Sequence, residues 1–90
     1  MATVCKRVTY SGRVQGVGFR YTARRRASEF PVAGYVRNLA NGDVELVAEG
    51  DEAQVTAFLN AVAEHMQEYV TGMMMRDEQP GGYSGFKVRA

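Results

Sequence analysis

The 90-residue sequence contains one cysteine, one histidine, two prolines and no tryptophan. Cys5 alone cannot form an intramolecular disulfide, and His65 alone cannot supply the clustered ligands of a zinc site. No apolar run is long enough to span a bilayer, and residues 1–10 alternate polar and apolar side chains, unlike a secretory signal. We therefore expect one cytoplasmic domain over residues 1–90, outside the membrane and without a disulfide, a metal or another cofactor.

Charge is nearly balanced overall, with a formal net charge of +1, but its distribution along the chain is uneven. Arginines are concentrated in residues 13–37, whereas carboxylates are concentrated in residues 43–52. This separation favours a local anion-binding site over an extended nucleic-acid surface, so no nucleic-acid partner is expected.

The period of the apolar residues changes along the chain and predicts the order of the elements. Residues 4–11 alternate as a strand does, and the first strand should end near Gly12. Helical spacing then places Phe19, Ala23, Ala27 and Phe30 on one face, in a helix closed by Pro31. Further strands are predicted at residues 33–37, 43–48, 67–77 and 83–89, with a hairpin at Asn41-Gly42, a break at Gly72 and a turn at residues 80–82.

A second helix is predicted after Asp51, whose side chain is suited to cap it, with Gln54 completing a capping-box-like pattern. Its buried stripe should consist of Val55, Phe58, Leu59, Val62 and Met66. The run Met73 to Met75 is interpreted as adaptable core filling. The resulting β-α-β-β-α-β order, with a short extra β-segment, predicts a ferredoxin-like α+β sandwich in which two helices cover one face of an antiparallel sheet.

The connection between the first strand and the first helix is where an anion is expected to bind. Gly16 and Gly18 allow the backbone to bend so that successive N–H groups point into one concavity, at the positive end of the helix dipole. Arg20 lies in the first turn, where its guanidinium can hold two phosphate oxygens. The loop matches neither the dinucleotide fingerprint nor the Walker A pattern. From spacing alone, a simple tight turn with a solvated arginine remains an alternative.

Three segments together resemble the acylphosphatase family. Residues 12–20 read Gly-Arg-Val-Gln-Gly-Val-Gly-Phe-Arg, like the family's signature loop. Residues 34–45 read Gly-Tyr-Val-Arg-Asn-Leu-Ala-Asn-Gly-Asp-Val-Glu, like its second motif, and residues 85–88 resemble its last strand. The resemblance covers nearly the whole chain and departs from the family's pattern only between residues 64 and 82.

This resemblance implies a metal-independent hydrolase whose partner is a small-molecule acyl phosphate. Arg20 corresponds to the family's substrate-binding arginine and Asn38 to its water-orienting asparagine. Because the leaving group is a carboxylate, the attacking water needs orientation more than a strong base. By itself, Asn38 would be interpreted as a residue of the hairpin turn. The phosphate-binding backbone amides would be those of Gln15, Gly16, Val17, Gly18 and Phe19.

Other interpretations of the same fold remain open. An RNA-recognition domain would present aromatic rings on its central strands, but residues 44–48, Val-Glu-Leu-Val-Ala, contain none. A small-molecule regulatory domain is compatible with the fold, because fold does not fix function. The acylphosphatase-like domain of a large hydrogenase-maturation protein shares the loop, although here no zinc-binding cysteines follow. Because the sequence shows no extended exposed apolar seam, we expect a monomer.

Overall fold

The computed structural model describes residues 2–90 and contains five strands and two helices. In chain order they are β1 (Thr3–Gly12), α1 (Phe19–Ala27), β2 (Ala33–Asn38), β3 (Val44–Asp51), α2 (Glu52–Met66), β4 (Val70–Glu78) and β5 (Phe86–Arg89). This is the predicted order, including the short extra strand. The strands form one sheet in the spatial order β4-β1-β3-β2-β5, which confirms the ferredoxin-like α+β class.

The sheet is antiparallel except at one edge. β1 lies between β3 and β4 and is antiparallel to both, and β2 is antiparallel to β3. β5 instead runs parallel to β2, with Val88 beside Val36. The prediction of an antiparallel sheet therefore holds for four strands, while the short last strand adds a parallel pair that no local sequence pattern indicates.

Both helices cover the same face of the sheet, as predicted. The main core lies between these layers and includes Val8, Val36 and Leu46 from the sheet, packed with Ala23 and Phe58 from the helices. The opposite face of the sheet carries a small second cluster formed by Cys5, Tyr35 and Val47. No helix within residues 2–90 has the length and apolar character needed to cross a membrane.

The helix boundaries follow local signals. Asp51 caps α2 as predicted, since its carboxylate accepts a hydrogen bond from the Ala53 N–H at 3.2 Å. The first helix ends earlier than predicted, at Ala27, and Phe30 lies in the following turn. There the Ser28 hydroxyl donates to the Arg25 carbonyl at 2.6 Å, and such local bonds compete with helix continuation.

The fourth strand differs most from prediction. β4 is continuous, and Gly72 lies within it opposite Ser11, so the predicted break at Gly72 is wrong. The pairing is irregular beside it: Ser11 pairs with Gly72 and Gly12 with Val70, so β4 carries one extra residue, Thr71, at this point. Met73 to Met75 are more than half exposed, so they are not core filling. Pairing along nearly all of β1 stabilises this strand, whose apolar side chains remain largely uncovered at the edge of the sheet.

The last strand begins at Phe86, three residues later than predicted. The preceding N–H groups of Gly82 and Tyr83 donate to a carboxylate oxygen of Glu49 at 3.1 and 3.2 Å, and the Gly81 N–H donates to the other oxygen. Because these groups bind a side chain on β3, they do not extend the pairing between β5 and β2.

Candidate active site

The loop between β1 and α1, residues 13–18, owes its shape to two glycines. Gly16 has a φ of 78° and Gly18 a φ of 81°, both in the left-handed region. A Cβ atom added at either position would meet nothing within 4 Å, so backbone conformation and not space requires glycine here. Tyr10, at the end of β1, packs its ring 4.8 Å from that of Phe19 and so anchors the start of the helix.

The start of α1 has backbone donors without protein partners. Gly18 occupies the N-cap position, no side chain caps the helix, and its first turn contains no acidic residue. In the described part of the chain, the N–H groups of residues 15–19 donate to no backbone carbonyl or side chain. Uncapped donors at the positive end of a helix dipole form an anion-binding site.

Gln15 connects this loop to the hairpin that follows β2. Its Nε2 donates to the carbonyl oxygens of Leu39 and Asp43, both at 2.8 Å. The hairpin itself closes where Asn41-Gly42 predicted a turn, with the Leu39 N–H donating to the Asp43 carbonyl at 2.8 Å. The sequence interpretation assigned only the backbone amide of Gln15 and missed this bridge, because the bridge depends on a contact between residues far apart in the chain.

Asn38 is the last residue of β2 and lies opposite Val44 on β3. Alternation along the strand places it on the same face as Val36, which is fully buried against the helices. The Asn38 side chain is half-buried and makes no hydrogen bond within residues 2–90. Its amide is therefore available to donate and accept on the helix side of the sheet, at the end where the Gln15 loop is attached.

Arg20 is the second residue of α1 and is half-buried. Its Nη1 makes one long hydrogen bond, at 3.5 Å, to the main-chain oxygen of Arg89 at the end of β5. It forms no ion pair with any carboxylate among residues 2–90. The guanidinium is therefore attached to the fold at one point and retains most of its donors for a ligand.

These groups line one open cleft of about 300 Å³. The structure brings together Arg20, Asn38, Gly16, Gly18 and Phe19 from the predicted set. The two other predicted loop residues do not line it with their side chains: Gln15 bridges to the hairpin, and Val17 packs against the core. The remaining lining residues are Val14, Tyr21, Arg24 and Val88.

The lining of the cleft determines which chemistry it can support. It has two arginines and no carboxylate, so a negatively charged ligand is favoured. No serine, threonine, cysteine, lysine or histidine lies in its wall, and its one hydroxyl group belongs to the exposed Tyr21. Within residues 2–90, no three histidine, cysteine, aspartate or glutamate side chains are grouped to hold a metal ion. The cleft can bind an anion and orient a small polar molecule beside it.

Comparison with known proteins gives a consistent result. The acylphosphatase family model matches residues 6–88. An acylphosphatase of Haloarcula marismortui is 44% identical over 90 residues, which are 99% of each chain. The acylphosphatase structure from Bacillus subtilis is 32% identical, with a TM-score of 0.87, over 97% of this chain and 99% of that one. The structure of an acylphosphatase from Coxiella burnetii is 38% identical, with a TM-score of 0.86, over 97% of this chain and 93% of that one.

Proposed function

This chain belongs to the acylphosphatase family, and we propose that it hydrolyses acyl phosphates in the cleft at the start of α1, with Arg20 and the loop amides binding phosphate and Asn38 orienting water. The observation that carries the proposal is the meeting in one cleft of three groups that, within residues 2–90, have no carboxylate partner and, except for the long bond from Arg20 to Arg89, no hydrogen bond to the protein. These are the uncapped helix N-terminus, the Arg20 guanidinium and the Asn38 amide.

Phosphate binding is the first part of the proposal. The amides of residues 15–19 and the guanidinium of Arg20 are donors only, and all of them are free of protein acceptors except for the long bond from Arg20 to Arg89. Donors fixed by the backbone need no reorganisation as charge develops on the phosphoryl oxygens. The same set can therefore bind the ground state and stabilise the transition state.

Orientation of water is the second part. In the reaction, the oxygen of a water molecule forms a new bond to phosphorus while the bond from phosphorus to the acyl oxygen breaks. The acyl group leaves as a carboxylate, and the proton of the attacking water passes to solvent or phosphate. Because a carboxylate is a good leaving group, positioning of the water supplies much of the catalysis. An amide such as Asn38 can accept a hydrogen bond from water and donate another to phosphate.

The reaction needs no covalent enzyme intermediate and, in this proposal, no metal ion. Charge neutralisation, which a metal provides in many phosphoryl transfers, is assigned to Arg20 and the loop amides. The wall of the cleft supports this assignment with two arginines and no competing carboxylate. The substrate is a small molecule with an exposed acyl phosphate group, consistent with a cleft that is open to solvent.

Hydrolysis of benzoyl phosphate in excess EDTA, followed by ultraviolet absorbance, tests the proposal with wild type, Arg20→Ala and Asn38→Ala. Each substitution should lower kcat/KM by about 10²–10³-fold, the usual effect of removing one oriented donor. Competitive inhibition by inorganic phosphate separates the two roles, since Arg20→Ala should weaken it much more than Asn38→Ala does.

Arg25→Ala is the matched control, because Arg25 is an exposed arginine of the same helix that does not line the cleft. It should retain wild-type activity. Loss of activity in EDTA that added metal restores would refute metal independence. A wild type that binds phosphate but hydrolyses nothing would leave an anion-binding domain and overturn the enzyme assignment.

A further inference from the structure

Three exposed side chains of the cleft have no role in binding phosphate or water as proposed above. They are those of Tyr21, Arg24 and Val88, which we call the outer wall. In-line displacement places the leaving group opposite the attacking water, so the acyl group departs on the side of the phosphate away from the water at Asn38. The acyl group therefore contacts lining residues other than Arg20, the loop amides and Asn38. Of those that remain, Val14 is fully buried, which leaves the side chains of Tyr21, Arg24 and Val88.

Arg24 is the charged group of the outer wall. It lies four residues after Arg20 in α1, so both side chains lie on the same face of the helix. Like charges at this spacing repel each other, and within residues 2–90 Arg24 has no carboxylate partner to offset that repulsion. Arg26 on the same helix does have one, since it pairs with Glu29 at 3.1 Å. Two unpaired cations in one cleft fit a ligand that carries two separate anionic groups.

Resting on the proposed function, we propose that Arg24 determines substrate specificity by selecting acyl phosphates whose acyl group bears a second negative charge. The phosphate is bound by Arg20 and the loop amides. The second anionic group, a carboxylate or a phosphate at the far end of the acyl chain, pairs with the Arg24 guanidinium. The exposed ring of Tyr21 and the side chain of Val88 provide apolar surface for the chain between the two charges.

A simpler role for Arg24 is stabilisation of the helix, because Arg24, Arg25 and Arg26 all lie in the last turn, where cations interact favourably with the helix dipole. Arg25 separates the two explanations. It occupies the same turn and is also exposed, but it does not line the cleft. A dipole role predicts the same effect at both positions, whereas a specificity role predicts an effect at Arg24 alone.

The test compares benzoyl phosphate with 4-carboxybenzoyl phosphate, which differs from it by one carboxylate. The measured quantity is the ratio of the two kcat/KM values for wild type, Arg24→Gln, Arg24→Lys and Arg25→Gln. Wild type should prefer the carboxylated substrate by about fivefold, the size of one solvent-exposed charge contact. Arg24→Gln should lose that preference, Arg24→Lys should keep part of it, and Arg25→Gln should keep all of it. Added salt should reduce the wild-type ratio, because the contact is exposed.

The possible failures are distinguishable. Hydrolysis of benzoyl phosphate with no preference for the carboxylated substrate overturns the role of Arg24 and leaves the proposed function intact. Equal loss of preference in Arg24→Gln and Arg25→Gln also overturns it, in favour of a general electrostatic effect of the helix. Hydrolysis of neither substrate by wild type refutes the proposed function, and the specificity role with it.

Discussion

The arginines of the cleft and those on the opposite face of the sheet differ in what surrounds them. In the cleft, Arg20 and Arg24 have no carboxylate partner within residues 2–90. On the other face, Arg7 and Arg37 both pair with Glu45, at 2.7 and 2.8 Å, and Arg7 also pairs with Glu78. The same residue type is thus free to bind a ligand in one region and is already neutralised in the other.

We call Arg7, Tyr35, Arg37, Glu45 and Glu78 the open-face cluster. Burial alone would raise the pKa of Glu45, but hydrogen bonds from Tyr35, Arg7 and Arg37 outweigh it and lower that pKa below its ordinary value. The Tyr35 hydroxyl donates to the Glu45 carboxylate at 2.9 Å. The hydrogen bond from Arg7 also lowers the pKa of Glu78. Each charge of the cluster is matched by an opposite charge, so these arginines contribute to the fold.

The comparison indicates which arginines to regard as functional. Six arginines lie within residues 13–37 of the sequence, and their number alone does not separate ligand binding from structure. Pairing and position together separate them. Arg26 and Arg37 have carboxylate partners, and an arginine so paired has donors occupied. Arg13 and Arg25, which are unpaired within residues 2–90, do not line the cleft. An arginine that faces an uncapped helix N-terminus without a carboxylate nearby is placed unfavourably unless an anion binds there.

The same substitution, arginine to methionine, can be made in both regions, and we expect the largest effects from this pair of variants. Arg20→Met should lower kcat/KM for benzoyl phosphate by about 10³-fold and change the free energy of unfolding by less than about 0.5 kcal/mol. Arg7→Met should instead affect the free energy of unfolding far more than kcat/KM. It leaves Glu45, which is 7% exposed, with fewer partners, and should lower the free energy of unfolding by about 1–3 kcal/mol.

Urea denaturation measures the free energy of unfolding of both variants, and steady-state kinetics measure their kcat/KM. Since Tyr35 and Arg37 still donate to Glu45 in Arg7→Met, that variant should remain folded and keep activity within a few-fold of wild type. A loss of activity in Arg7→Met as large as that in Arg20→Met, at temperatures where both are folded, would show that the two regions are not separate.

A second prediction concerns what holds the donors of the cleft in place. Backbone conformation positions the loop amides, whereas ion pairs and hydrogen bonds between side chains hold the open-face cluster together. Gly18→Ala forces a side chain into the left-handed region and should lower the free energy of unfolding by about 1–2 kcal/mol, with weaker inhibition by phosphate.

Gly72→Ala is the matched control for Gly18→Ala. A Cβ atom at Gly72 would also find space, with its nearest neighbour, the Ser11 Cβ, at 3.7 Å, but the backbone there is not left-handed. This variant should keep wild-type phosphate inhibition and a free energy of unfolding that is unchanged or slightly higher. Equal destabilisation of the two variants would mean that conformation at Gly18 is not what shapes the loop.

The sequence predicted the parts of the fold that depend on neighbours in the chain. The cap at Asp51, the hairpin at Asn41-Gly42 and the strand-to-helix change near Phe19 are each determined by a few adjacent residues, and the structure has all three. The bend of the loop at residues 13–18 was also predictable, because Gly16 and Gly18 lie within the loop itself. Placement of Asn38 beside them required the resemblance, since a single asparagine before a turn has no distinctive pattern.

The missed features depend on contacts between distant parts of the chain. β4 continues through Gly72 because β1 pairs along nearly its whole length, and this pairing outweighs the low strand propensity of glycine. β5 starts late because the N–H groups of residues 81–83 bind Glu49. The bridge from Gln15 to the hairpin joins residues 24 and 28 positions apart. No local pattern of side chains contains such information.

The effect that we expect to be smallest is a change of stability in acid, caused by the Glu45 carboxylate of the open-face cluster. A carboxyl whose folded-state pKa is lowered stabilises the fold above its unfolded-state pKa, and this stabilisation is lost as pH falls through the folded-state value. For Glu45 the loss therefore begins below its ordinary pKa of 4.5 and is complete once the pH is below the lowered value. Glu45→Gln removes the titration, so the difference in free energy of unfolding between wild type and this variant should shrink as pH falls from about 7 to about 3.

Urea titrations over this pH range measure the difference directly. Arg7→Met, which removes hydrogen bonds that lower the pKa of both Glu45 and Glu78, should show a shallower dependence on pH than wild type in the same titrations. In contrast, Arg24→Gln should follow the wild-type pH dependence, because Arg24 contacts no carboxylate of the cluster. A constant difference between wild type and Glu45→Gln at all pH values would show that Glu45 acts by packing alone, and the contrast between paired and unpaired arginines would then have no electrostatic basis on this face.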